Sequence, residues 1–333
     1  MALVAEVALL LTDVLMPGGV SGHDLSRQLR AQAAVGSVAM ATRQAEALQR
    51  FLRDDDHEVA SAASGEAAWA RLEREGFDLV LTDLSMPGMD GLELLRRVRE
   101  AQPDVEVVVI TAHGKVDSAV EAIKLGAENY LTKPLEPGSL IAVVERAMEK
   151  ARLMAEAAVL REGKRWKDAY EVLGQGAKRF SDDADVIYEQ AMVAEKLERM
   201  DDMEKLLRRV IALKPDNAHA HNALGYSLAD RRQRLPEARD LIRKALDLSP
   251  GEPFITDSLG WVEFRLGNHA EAARLLRQAY ASRPDVEIGA HLGEVLWVMG
   301  QRDEARRIWR DAQMRDSANE VLKETLARLQ VGL

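Results

Sequence analysis

The chain has 333 residues, 47% of them apolar and 30% charged, with a formal net charge of −10. That balance describes globular material with length for two domains, and its acidity argues against general nucleic-acid binding. Cysteine is absent, which removes disulfides, thiolate metal sites and thiol nucleophiles, and no apolar run approaches the ~20 residues of a membrane span.

The first eleven residues are apolar apart from Glu6, but they lack a basic start and a cleavage site. They read as a strand rather than a signal peptide, so the expected location is cytoplasmic. That strand, residues 7–12, ends at Asp13, followed by a Met16-Pro17-Gly18 turn and an amphipathic helix over 23–33. Residues 34–42 read as a further strand, 44–52 as a helix and 57–62 as a strand. Leu79-Val80-Leu81-Thr82 is an apolar run that delivers one carboxylate, Asp83, to its end; Ser85-Met86-Pro87-Gly88 then turns the chain, and a helix opens at Gly91. An Asp before a turn is either a cap former or, in an open parallel sheet, a group at the strand ends where chemistry sits. Two more buried strands follow, Val107 to Ile110 ending in Thr111 and a segment within 128–134 ending in Lys133-Pro134, with a helix over 116–124 between them.

The strings "TDLSMPGMDG", "ITAHG" and "YLTKP", with spacings of 111 − 83 = 28 and 133 − 111 = 22, resemble the receiver domain of two-component response regulators across residues 43–150. The resemblance implies a flavodoxin-like α/β fold, a doubly wound parallel sheet. It implies Asp83 as phosphoacceptor, taking phosphate from a histidine kinase or phosphotransfer protein. Lys133 would pair with the carboxylate and then with the phosphoryl oxygens. Thr111 would hydrogen-bond a phosphoryl oxygen, Tyr130 would be the switch aromatic, and the Ser85 backbone carbonyl would join Asp83 in holding Mg2+.

The sequence departs from that family at one place. Receivers end their first strand in two adjacent carboxylates, and counting back from Asp83 puts those positions at Ala39 to Ala41, none acidic. Magnesium is held weakly by a single carboxylate, so Asp83 is expected to phosphorylate poorly or not at all. Residues 1–33 resemble the phosphoacceptor strand and following helix of a second receiver, of the kind fused to hybrid histidine kinases. Asp13 is then either a secondary phosphoacceptor or part of a structural appendage. The 7–12 strand is expected at a sheet edge, the sharper alternative being that it carries Asp13 to the pocket.

Ser139 reads as the N-cap of a helix that runs unbroken to Arg161. From 151 onward small residues recur at Ala157, Ala191, Gly225, Gly260 and Gly293, in steps of 34, 34, 35 and 33. A second series runs through Ala169, Met203, Ala238, Ala272 and Ala305, and unit ends fall at Ser181, Pro215, Pro250, Pro284 and Ser317. This is similar to the tetratricopeptide repeat, and five repeats plus a capping helix over 319–329 make an all-α solenoid. The resemblance implies a groove for a peptide or helix of a partner protein. Trp261, Trp297 and Trp309 are expected in helix packing, the alternative being groove contacts, and His219 and His221, at i and i+2, do not share a face.

Three parts are therefore expected: a partial receiver over 1–33, a receiver-like domain over 34–150 and the repeats over 151–333. No phosphate loop, serine elbow or paired zinc ligands are visible, so a non-enzymatic signalling protein is expected, without nucleic-acid or membrane partners. Two roles stay open: a phosphorelay adaptor with Asp83 as acceptor, and a phosphorylation-deficient scaffold acting only through protein contacts.

Overall fold

The computed structural model describes residues 8–12, 58–62, 64–86, 88–102, 105–111, 116–133 and 137–333. Contacts divide the chain into two compact units, Met1–Lys164 and Arg165–Leu333.

The first unit is built on five parallel strands: β1 (Ala8–Thr12), β2 (Glu58–Ser61), β3 (Leu79–Asp83), β4 (Glu106–Thr111) and β5 (Asn129–Thr132). Their order is β2-β1-β3-β4-β5. Every residue of β3 and β4 is buried, as expected for strands covered on both faces. Helices α1 (Gly65–Leu72), α2 (Gly91–Ala101), α3 (Val116–Lys124) and α4 (Pro137–Glu162) accompany the sheet. Leu72 of α1, Leu94, Leu95 and Val98 of α2, and Leu140, Val144 and Ala147 of α4 close one core over Leu79, Leu81, Val107 and Val109.

One strand is not where the sequence placed it. The slot between β2 and β3, expected for residues 34–42, is filled by β1, which pairs Leu9, Leu10 and Leu11 with both Val59, Ala60 and Ser61 and Leu79, Val80 and Leu81. The N-terminal strand is therefore central rather than at an edge. The physical reason is composition. A doubly covered parallel strand takes a continuous run of bulky apolar residues, and Ala8-Leu9-Leu10-Leu11 is such a run. Ala34-Val35-Gly36-Ser37-Val38-Ala39 carries Gly and Ser and mostly small side chains. Residues 34–42 themselves, and the helix expected over 44–52, lie outside the described residues.

A second difference is the start of α4. It begins at Pro137, two residues before the expected cap, so Ser139 lies within the first turn. Proline suits that position because its missing N–H has no helical partner there in any case.

The second unit is helical throughout. Its helices are α5 (Trp166–Arg179), α6 (Ala184–Lys196), α7 (Met200–Leu213), α8 (Ala218–Asp230), α9 (Leu235–Leu248), α10 (Pro253–Arg265), α11 (His269–Ser282), α12 (Val286–Val298), α13 (Arg302–Arg315) and α14 (Glu320–Leu329). They pack as successive hairpins α6–α7, α8–α9, α10–α11 and α12–α13, with α14 against α12 at the end. The small-residue series marks where paired helices touch. A Cβ on Gly293 would stand 2.2 Å from Nε1 of Trp309, and the fully buried indole donates to the Ala290 carbonyl at 3.2 Å. Met203, in place of the expected Ala, is buried at the corresponding contact of α7. Trp261 and Trp309 are buried and Trp297 half-buried, in keeping with packing roles. Among the described residues no helix is long and apolar enough to cross a membrane.

Candidate functional site

Asp83 is the last residue of β3 and is 5% exposed. Sequence alone explains how it is presented. The apolar strand runs through the core, and the chain must then turn at once into α2. Gly91, the first residue of α2, makes that turn fit, because a Cβ there would stand 2.3 Å from the Asp83 carbonyl oxygen. Asp90 caps α2 by accepting from the Glu93 amide at 2.8 Å. Between strand and helix, the Met89 amide donates to Glu66 of α1 at 2.7 Å, tying the turn to a neighbouring element. Backbone hydrogen bonds, its own and that from Met89, hold the Glu66 carboxyl below the usual range.

Lys133 follows β5. Its amide donates to the Thr111 carbonyl at 2.7 Å, which continues the β4–β5 ladder and carries the side chain back across the strand ends. The Lys133 ammonium donates to Oδ2 of Asp83, and the side chains are 9% and 8% exposed. The other oxygen, Oδ1, accepts from the Ser85 amide at 2.9 Å. Thr111, 2% exposed, ends β4 between the strands that bring Asp83 and Lys133. The fold thus brings together the Asp, the Thr and the Lys that the sequence singled out. A carboxylate buried beside an ammonium, with a threonine on the intervening strand, is an arrangement that can receive a phosphoryl group and neutralise part of its charge.

Tyr130 lies one strand further out, half-buried, with its hydroxyl 3.4 Å from Oγ of Ser118 on α3. Ser118 was not read from the sequence; a hydroxyl two residues into an amphipathic helix carries no distinguishing signal. Asp13 lies outside the described residues. Thr12, which precedes Asp13, pairs with Thr82, which precedes Asp83.

The donor set can be compared with what Mg2+ requires. The described residues supply one carboxylate, Asp83, already engaged by Lys133 and the Ser85 amide, and no group of three or more His, Cys, Asp or Glu that could hold a metal occurs among them. That set does not make a magnesium site by itself.

A second charged cluster sits at the opposite end of the sheet. Lys150 of α4 reaches Glu106 at 3.0 Å and Glu128 at 2.8 Å, all three nearly buried. Burial pushes the Glu106 carboxyl up, against the pull of Lys150 and Arg99. These residues lie at the strand starts, away from Asp83, and pin α4 to β4 and β5. No local pattern in the sequence marks this cluster, because its members are far apart in the chain.

Residues 42–145 match the response regulator receiver domain, and residues 188–253 and 258–317 match the tetratricopeptide repeat. Among curated proteins, the chain is 48% identical over 141 residues to the TPR repeat-containing protein PA4667 of Pseudomonas aeruginosa, covering 42% of this chain and 24% of that one. It is 46% identical over 101 residues to the response regulator protein FleR of the same organism, covering 30% of this chain and 21% of that one. The chain therefore spans about a quarter of the length of these relatives. Among solved structures, a thermophilic TPR protein of Thermus thermophilus aligns with a TM-score of 0.48 at 21% identity, covering 54% of this chain and 98% of that one.

Proposed function

Because residues 42–145 are a response regulator receiver domain and residues 188–317 are tetratricopeptide repeats, we propose that this chain is a phosphorelay signalling adaptor. Asp83 is the phosphoacceptor in this reading. Its carboxylate attacks the phosphorus of a phosphohistidine on a kinase or phosphotransfer protein, an acyl phosphate forms, and the histidine leaves with the N–P electron pair. Lys133 first holds the carboxylate and then the phosphoryl oxygens as a fixed cation, and Thr111 donates its hydroxyl to one of them. Tyr130 and Ser118 form the contact that answers the added charge of about −2. The repeats bind a peptide or helix of a partner protein. The observation that carries the reading is the buried Lys133–Asp83 pair beside Thr111. Acetyl phosphate with Mg2+ should add one phosphoryl group at Asp83, seen by intact-mass and peptide mass spectrometry, and Asp83→Asn should abolish it. Labelling that persists in Asp83→Asn, or fails in the parent, refutes the proposal.

One observation favours a second reading. The described donors include a single carboxylate for Mg2+, and that suits a phosphorylation-deficient receiver acting as a docking surface. Asp13 is the remaining carboxylate of interest. In the adaptor reading it is a candidate Mg2+ ligand or secondary phosphoacceptor, and Asp13→Ala should then weaken Mg2+-dependent labelling. Unchanged labelling would remove Asp13 from the site.

A further inference from the structure

The helical unit has an inner face, and its chemistry is uneven. Tyr226 of α8 reaches past α10 to His291 of α12, hydroxyl to Nε2 at 3.4 Å, with the ring centroids 6.0 Å apart. Alternate helices thus converge on one side of the array. From α10, Asp257 meets Nδ1 of His291 with both oxygens at 3.0 Å, and Trp261 stacks on the same imidazole with centroids 4.2 Å apart.

The charges gathered there are mostly negative. Burial raises the Tyr226 phenol well above its ordinary range, and the carboxylates of Asp230, Asp257, Glu287 and Glu195 raise it further. Those four come from α8, α10, α12 and α6. Burial alone would lower His291, but Asp257, Glu287 and Glu294 hold it above its ordinary value. Burial also raises Glu195; adjacent Lys196 opposes this, while Glu287 and Asp230 reinforce it.

The chain itself shows how this face receives cations. The Arg265 guanidinium lies 4.2 Å over the Trp261 ring and donates to Asp230 at 3.2 Å. Arg328 of α14 grips both oxygens of Glu294 at 2.8 and 2.6 Å. Asp257 has His291. Glu195 and Glu287 form no ion pair among the described residues, and the charge of Glu287 reaches Glu195 across the array. On α8, one helical turn before Tyr226, the amide oxygen of Asn222 is buried and accepts no hydrogen bond. Two unpaired carboxylates and an unfilled acceptor, from three helices, call for one kind of group: a cation with several N–H donors.

We infer that the inner face of α6, α8 and α12 binds an arginine- or lysine-bearing segment of a partner protein, its cation seated among Glu195, Asp230 and Glu287. This rests on the reading that the repeats bind a partner, and it names that partner's chemistry.

The test uses the full chain and labelled peptides that alternate alanine with arginine, glutamine or glutamate, followed by fluorescence anisotropy. The arginine peptide should bind, the others should not, and affinity should fall with added salt. Glu195→Gln combined with Glu287→Gln should weaken the arginine peptide about tenfold. The same variant should melt no lower than the parent, because it removes mutual repulsion, so lost binding cannot be lost folding. Equal binding of the arginine and glutamine peptides, no binding of any, or undiminished binding by the double variant overturns the inference. Binding of the glutamate peptide alone also overturns it while leaving partner binding intact. Asp83 labelling is read separately, so failure of the adaptor reading is distinguishable from failure here.

Discussion

Replacing Lys133 by Met takes away the cation that faces Asp83. Both side chains are less than a tenth exposed, at 9% and 8%, so water does little to screen the pair. Two unit charges near contact attract by ~4 kcal/mol at an effective dielectric of ~20, and desolvation offsets much of that. Removing one partner is different, because the other charge stays buried: Lys133→Met should cost about 3–5 kcal/mol. Asp83→Asn leaves an ammonium on a flexible stem that can turn toward water, at a cost of about 1–2 kcal/mol. The double variant removes both charges of the pair together and should fall within ~1 kcal/mol of the parent. The two single costs sum to about 4–7 kcal/mol against at most ~1 for the double variant, so the cycle predicts a coupling of about 3–7 kcal/mol. Urea-dependent hydrogen exchange at the amides of β3, β4 and β5 reports on this unit separately from the helical one. Costs that add to within ~0.5 kcal/mol would refute the reasoning, since independent sites behave that way.

Three other outcomes are expected. Gly293→Ala gains up to ~1 kcal/mol in helix propensity but drives a methyl into Trp309; overpacking of ~1–3 kcal/mol and a strained indole hydrogen bond should outweigh the gain and lower the melting temperature, whereas a rise would refute the contact. His291, facing Asp257 on α10, Glu287 and Glu294 on α12 and Tyr226 on α8, has a folded-state pKa above its ordinary value. Its stabilisation is complete below the unfolded pKa of about 6.5 and is lost as pH rises through the folded value, so His291→Gln should flatten the decline of melting temperature from about pH 6 upward. An unchanged slope would count against the pair. Leu10→Pro should unfold the sheet by removing a ladder amide from its central strand, while Val38→Pro should not, as read by circular dichroism and hydrogen exchange; the reverse would show that residues 34–42 hold the slot.

Local patterns carried much of this structure. The run that ends in Asp83 is a strand with the expected limits, Leu79–Asp83, and the helix between the Thr and Lys strands is Val116–Lys124 as read. Both are short, bounded by turn residues and uniform in pattern. The positions of Asp83, Thr111 and Lys133 were legible because the first two end their strands and Lys133 directly follows its own, and parallel topology gathers strand ends on one side. The first strand was not legible, because which segment lies between β2 and β3 is decided by long-range pairing. Counting back from Asp83 assumed an uninterrupted domain, and the more apolar Leu9-Leu10-Leu11 won the position. The Asp257–His291 pair escaped for a related reason. The two stand 291 − 257 = 34 apart, one repeat length, and only superposing consecutive repeats would have set them side by side.

The central position of β1 has a cost in time. Its partners Ala8 and Glu58 are 58 − 8 = 50 residues apart, and Leu9 and Leu79 are 79 − 9 = 70 apart. During synthesis β1 must wait until both of its neighbours exist, and loop closures of that length slow assembly. Meanwhile β3 presents a bare edge, ready to accept the corresponding strand of another nascent chain. Refolding at rising concentration should accordingly divert this protein into strand-exchanged oligomers, and a synthetic peptide carrying residues 8–12, added in trans, should compete with that diversion.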